Sequence, residues 1–148
     1  MEIKRVGVIG AGQMGSGIAH VFAVAGFDVC LHDLSFEVSF HALQRIQSDM
    51  DAMIERGRLT GAEKDGAIGR ITTTTDMGDL ADVDLIVEAA SEDTAIKEKI
   101  FSEICRNLGK DTLLTTNTSS ISITRLAAKA DRRERFMGVE LMRPVAKR

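Results

Sequence analysis

The chain has 148 residues, 44% of them hydrophobic, and a formal net charge of −3 with 28% charged residues of both signs. That length fits one domain, 1–148, with a core of its own. Charges this mixed leave no basic stripe for nucleic acid, and no apolar run approaches the length of a membrane span, so neither is an expected partner. The first strand pattern begins within a few residues of Met1, which leaves no room for a secretory signal of roughly 15–30 residues. Cys30 lies in an apolar strand and Cys105 on an apolar helix face, so both are expected as reduced core thiols and neither as a disulfide or metal partner. The expected location is the cytoplasm.

The first element is an apolar strand at 4–9, and it runs directly into Gly10, Gly12 and Gly15 in GxGxxG spacing. Gly10 permits a tight turn, Gly12 lets the backbone approach a pyrophosphate, and Gly15 lets the next helix pack closely on the sheet. Phosphates at such a turn meet free N–H groups and the positive end of the helix dipole. Met14, Ile18, Val21, Phe22 and Ala25 recur at helical spacing, with Gly26 placed as a C-terminal cap. The second strand, 28–32, ends at Asp33, which can accept hydrogen bonds from both hydroxyls of an adenosine ribose and would repel a 2′-phosphate. The competing reading of Asp33 is a turn or N-cap acid before the next helix. Strand, glycine run, helix and acid together predict a dinucleotide site selective for NAD over NADP.

Residues 35–56 are too long for a simple crossover helix. Phe36, Phe40, Leu43, Met50 and Ile54 are expected to share its buried face, with Gly57 as cap. A short helix follows Thr60, with Glu63 completing a capping box, so a helical hairpin is inserted after the second strand. The threonines at 72–75 read as ordinary β-formers at the end of a third strand, 70–73. Further strands are expected at 85–87, 112–115 and 135–141. Ile96, Ile100, Phe101, Ile104 and Leu108 form a helical stripe ended by Gly109, and Glu92 and Lys97, read without context, belong to a solvated first turn. Asn117, Thr118, Ser119 and Ser120 follow the fifth strand, where they are either ligand-crevice groups or caps of a helix near 123–128. Strands alternating with helices predict an α/β fold, a doubly wound parallel Rossmann sheet, without internal repeats or a linker.

Gly10-Ala11-Gly12-Gln13-Met14-Gly15, Val87-Glu88-Ala89-Ala90, Lys97 with Ile100-Phe101, and Asn117-Thr118-Ser119-Ser120 together resemble the NAD-binding domain of the 3-hydroxyacyl-CoA dehydrogenases, the bacterial 3-hydroxybutyryl-CoA type in particular. The resemblance covers essentially the whole chain. It implies oxidation of the 3-hydroxyl of an acyl-CoA with hydride passed to NAD. The cofactor set it implies is Gly10, Gly12, Gln13, Met14, Gly15, Asp33, Glu92, Lys97, Asn117 and Ser119. Lys97 and Ser119 would also face the substrate, and Arg56 stands where the family often has a basic residue near the CoA moiety.

The family's Gly-x-His-x-x-Asn-Pro pattern reads here Gly138-Val139-Glu140-Leu141-Met142-Arg143-Pro144. Base and amide are both changed. An alcohol losing hydride needs a base with a pKa near the working pH, which an unperturbed carboxylate near about 4.3 does not offer. Ser119 and Glu140 are the candidates for chemistry, but Glu140 reads as structural rather than catalytic unless its surroundings raise its pKa, which Arg143 would tend to lower. The family also uses a glutamate further along and a C-terminal helical domain, and this sequence stops at Arg148 before the place of either. Two functions follow as expectations: a dehydrogenase domain weak or inactive by itself, or a non-enzymatic NAD- or acyl-CoA-binding module. Either is expected to form a homo-oligomer or to associate with a separate helical domain.

Overall fold

The structure, a computed structural model, describes residues 2–90, 93–109, 111–117 and 136–139. Among these residues six strands make one sheet in the order β3-β2-β1-β4-β5-β6: β1 (Arg5–Ile9), β2 (Asp28–His32), β3 (Ile71–Thr74), β4 (Leu85–Glu88), β5 (Leu113–Asn117) and β6 (Phe136–Val139). Every pairing is parallel. β1 has β2 on one side and β4 on the other, so the chain reverses its direction of travel there, and a crevice opens beyond the carboxyl ends of these strands. The doubly wound sheet is as expected, with strand limits within two residues of those read from the sequence.

Parallel strands are covered on both faces, and the core divides accordingly. Val6, Val8, Val29, Leu31 and Val87 point to one side, where they meet Met14, Ile18 and Ala19 of α1 (Gln13–Val24) together with Ala42, Ile46 and Met50 of α2 (Phe36–Glu55). Ile9, Cys30, Ile86 and Leu114 point to the other, against Phe101 and Ile104 of α4 (Thr94–Cys105) and the 3-10 turn Met77–Leu80. α2 and α3 (Gly61–Gly69) form the inserted hairpin. Ser35 caps α2 by accepting from Val38 N–H at 3.3 Å, and the Thr60–Glu63 capping box is present in both directions, at 3.1 and 3.0 Å. Gly26 and Gly57 end α1 and α2 with positive φ.

Three apolar stripes are rotated from expectation. In α1, Val21 is exposed, as is Ala25 just past its end, whereas Ser16, Ala19, His20 and Ala23 are buried, because α1 lies between the sheet and the α2–α3 hairpin and buries two sides. Small residues let the helices approach there. In α2 the buried line is Ser39, Ala42, Ile46 and Met50. Phe36 and Phe40 are exposed and stack on each other with centroids 6.4 Å apart. α4 stops at Cys105, so Leu108 lies past its end; Ile96 is exposed, and its expected place in the core is taken by Lys97. Cys30 is buried and Cys105 half-buried, and neither is joined in a disulfide among the described residues.

Candidate cofactor site

The turn from β1 into α1 is built by backbone contact. Gly10 has φ +100°, and a Cβ there would lie 2.6 Å from Ala90 Cα and 2.8 Å from Ala89 O, so only glycine lets the β1 turn lie against the loop after β4. A Cβ on Gly15 would overlap Gly10 O. These are the tight turn and the close helix packing expected from the sequence. A Cβ on Gly12 would meet nothing within 4 Å, so its lack of a side chain answers no need of the protein itself. Gly12 caps α1 without a side-chain hydrogen bond, and no acidic residue occupies the first turn of that helix. Open space in front of an uncapped, dipole-positive helix end suits a pyrophosphate. Met14 is buried in the core, which leaves only its backbone to serve a ligand, while Gln13 is exposed.

Asp33, half-buried, lies immediately after β2. Its Oδ2 accepts from Ala11 N–H at 2.9 Å and its Oδ1 from Ser35 N–H at 2.9 Å. The N-cap of α2 is Ser35, so Asp33 is not the helix cap, although its carboxylate does close the local turn. It also ties the glycine turn to the end of β2. A carboxylate has about four acceptor positions, so two bonds to the backbone leave capacity for ribose hydroxyls. His32, beside it, is buried, and burial lowers its pKa against the opposing pull of Asp33, Glu103 and Asp76.

A second group of polar atoms lies at the ends of β4 and β5. Glu88, Lys97 and Thr116 are each fully buried. Glu88 Oε1 pairs with Lys97 Nζ and accepts from Thr116 Oγ1 at 2.6 Å. Lys97 Nζ also donates to Thr116 Oγ1 at 3.3 Å, and Ala90 N–H donates to Glu88 Oε2 at 2.7 Å. Lys97 thus belongs to no solvated first turn. Its ammonium enters the protein because a buried carboxylate receives it. Sequence reasoning gave Glu88 no role. The available signal was an acid closing the apolar strand Leu85-Ile86-Val87, since glutamate is almost never fully buried unless paired.

Asn117 is the last residue of β5, so it reaches the same strand ends. Glu92, Ser119 and Glu140 lie outside the described residues, as does the alternative helix near 123–128. Arg56 is not brought to this group. It caps the carboxyl end of the 20-residue α2, on the order of 30 Å along the helix from Ser35, and is exposed. Among the described residues no cluster of His, Cys, Asp and Glu could hold a metal, and no helix is long and apolar enough to cross a membrane.

A reversing parallel sheet, a glycine turn with open space at a helix start and an acid at the next strand end define a dinucleotide-binding protein of the Rossmann class. The family described as 3-hydroxyacyl-CoA dehydrogenase, NAD binding domain, matches residues 5–147, and the chain belongs to it. It is 48% identical over 143 residues to a 3-hydroxybutyryl-CoA dehydrogenase of Bradyrhizobium diazoefficiens, covering 97% of this chain and 49% of that protein. A 3-hydroxybutyryl-CoA dehydrogenase of Mycobacterium tuberculosis is 42% identical over 144 residues, covering 97% and 50%. The crystal structure of (S)-3-hydroxybutyryl-CoA dehydrogenase from Ralstonia eutropha matches with a TM-score of 0.95 at 40% identity, covering 97% of this chain and 51% of that one. The chain spans about half the length of these relatives.

Proposed function

We propose that this chain, as a single domain over 1–148, is the cofactor-holding part of an NAD-dependent dehydrogenase that oxidises the 3-hydroxyl of an acyl-CoA to a ketone. The observation that carries the reading is the open space at Gly12 beside Asp33, in a chain of this family. Gly10, Gly12, Gln13, Met14 and Gly15 cradle the pyrophosphate through backbone groups, and Asp33 takes the adenosine ribose. Glu92, Lys97, Asn117 and Ser119 serve the remainder of the cofactor, with Lys97 and Ser119 also facing substrate. The exposed Arg56 guanidinium suits the anionic end of an extended CoA. When bound, NAD supplies the hydride acceptor.

The proton of the substrate hydroxyl needs a base. Glu140 stands where the family pattern has histidine, and Arg143 where it has asparagine. A general base of matched pKa is worth roughly 10²–10⁴-fold, so turnover by this chain alone is weak or absent. The protein works in the cytoplasm, as a homo-oligomer or joined to a helical domain that covers the crevice. Analytical ultracentrifugation over a wide concentration range tests that association, and an ideal monomer throughout speaks against it.

An NADH-formation assay with a short 3-hydroxyacyl-CoA, run on the parent, Glu140→Gln and Glu140→His chains, tests the catalytic reading. The expected result is little or no rate in all three, because the histidine alone lacks the neighbouring amide. Robust parent turnover that disappears in Glu140→Gln, with NAD affinity kept, would show instead that Glu140 is a working base. The changed base and amide also favour a second reading, a non-enzymatic NAD- or acyl-CoA-binding module. That reading predicts tight binding of both ligands by calorimetry, and no turnover even when a relative's helical half is added.

A further inference from the structure

We propose that Glu88 is a positioning residue of the cofactor crevice, setting the loop after β4 and Lys97 with a single carboxylate; this rests on the reading of the crevice as an NAD site. Oε2 receives Ala90 N–H at 2.7 Å, and Ala89 and Ala90 are the residues against which Gly10 is packed too closely for any side chain. The glycine turn that would face the pyrophosphate is therefore backed by a loop that Glu88 ties down. Oε1 receives Lys97 Nζ from the first turn of α4 and Thr116 Oγ1 from the end of β5, both fully buried. One carboxylate thus joins β4, α4, β5 and, through Ala90, the β1 turn.

The chemistry of the replacement amide makes this testable. A carboxylate can accept on both oxygens, whereas glutamine offers one accepting oxygen and turns an N–H₂ toward whichever partner the other oxygen served. Ala90 N–H and Lys97 Nζ are both donors, so Glu88→Gln must leave one of them facing another donor. Removing one member of a buried pair also lowers stability in any account, and that loss alone decides nothing. The double variant is therefore Glu88→Met with Lys97→Met, which removes both buried charges in favour of apolar side chains of similar size and recovers stability, but offers Ala90 N–H no acceptor.

The full chain is titrated with NADH by fluorescence for the parent, Glu88→Gln, Lys97→Met and the double variant, each with its Tm. If Glu88 positions the crevice, the double variant regains most of the Tm lost by Glu88→Gln yet binds NADH at least about tenfold more weakly than the parent, and more weakly than Lys97→Met. Double-variant affinity equal to that of the parent overturns the proposal. Failure of the parent itself to bind NADH overturns the NAD reading and this inference with it. A second readout does not depend on cofactor. Acylation of lysines by a small amine-reactive reagent, followed by mass spectrometry, should find Lys97 protected in the parent while exposed Lys99 reacts. Glu88→Gln should raise the Lys97 rate about tenfold or more with Lys99 unchanged, reflecting loss of the partner that holds the ammonium inside. A Lys97 rate as slow in Glu88→Gln as in the parent shows that something other than Glu88 holds it, and overturns the proposal.

Discussion

Gly12 and Gly15 stand three residues apart and answer different demands. At Gly15 the demand comes from the protein, since a side chain there would overlap Gly10 O. Gly15→Ala should therefore cost at least about 1–3 kcal/mol of stability, as overpacking against backbone generally does. Gly12 has φ −73° and ψ −162°, an extended conformation open to any residue, and free space around it. Gly12→Val should stay within about 1 kcal/mol of the parent, the scale of a change at an N-cap, while losing NAD binding because its side chain occupies the pyrophosphate's place. Urea unfolding and NAD calorimetry on the two variants check this contrast, and NAD affinity retained in Gly12→Val would place the cofactor elsewhere. The sequence makes this much legible because turn, helix and acid lie within one short stretch, where spacing carries the geometry. It does not make Glu88 legible. Lys97 and Thr116 reach Glu88 from 9 and 28 residues away, and only the folded sheet brings their elements together.

Between elements, the packing of α1 is where periodicity misleads. A single apolar stripe assumes one buried side, but α1 is covered by the sheet and by the α2–α3 hairpin, and the second side buries His20. By contrast, the Thr60–Glu63 box was legible because its partners lie three residues apart and its chemistry is local. Neither ring nitrogen of His20 has a hydrogen-bond partner, and burial lowers its pKa, opposed by Asp49 of α2. His32 in β2 is lowered for the same leading reason. A histidine with a folded-state pKa below its unfolded value of 6.5 is more protonated in the unfolded chain. Stability is therefore highest above about pH 6.5 and falls as the pH drops through that value toward the folded-state pKa, each unit of depression being worth about 1.4 kcal/mol. Urea midpoints at pH 5.0, 6.0, 7.0 and 8.0 should show this fall, and replacing His20 and His32 by leucine should flatten it. A parent midpoint unchanged between the two ends would mean that neither imidazole resists protonation in the fold.

The whole sheet converges on its crevice: the β1 turn, Asp33 after β2, Ala89 and Ala90 after β4, and Asn117 at the end of β5 all lie beyond carboxyl ends on the two sides of the switch between β2-β1 and β4-β5. Alternating strand and helix patterns made that order legible, because right-handed crossovers between parallel strands leave few arrangements. A ligand that bridges those ends binds the folded chain and not the unfolded one, so it must raise the stability of the molecule as a unit. NAD at 100 times its Kd should add about 2.7 kcal/mol, or roughly 5–10 °C in Tm for a domain of this size. NADP carries a 2′-phosphate that would lie against the Asp33 carboxylate, which already serves Ala11 and Ser35 and is fixed in place by them. At equal concentration NADP should shift Tm by much less. Asp33→Ser should narrow the difference by removing the repulsion, at the cost of NAD affinity and of the tie to Ala11 N–H. Thermal unfolding of parent and variant with each dinucleotide reads both effects together, and an NADP shift in the parent equal to that of NAD would remove Asp33 from its place as the ribose acid.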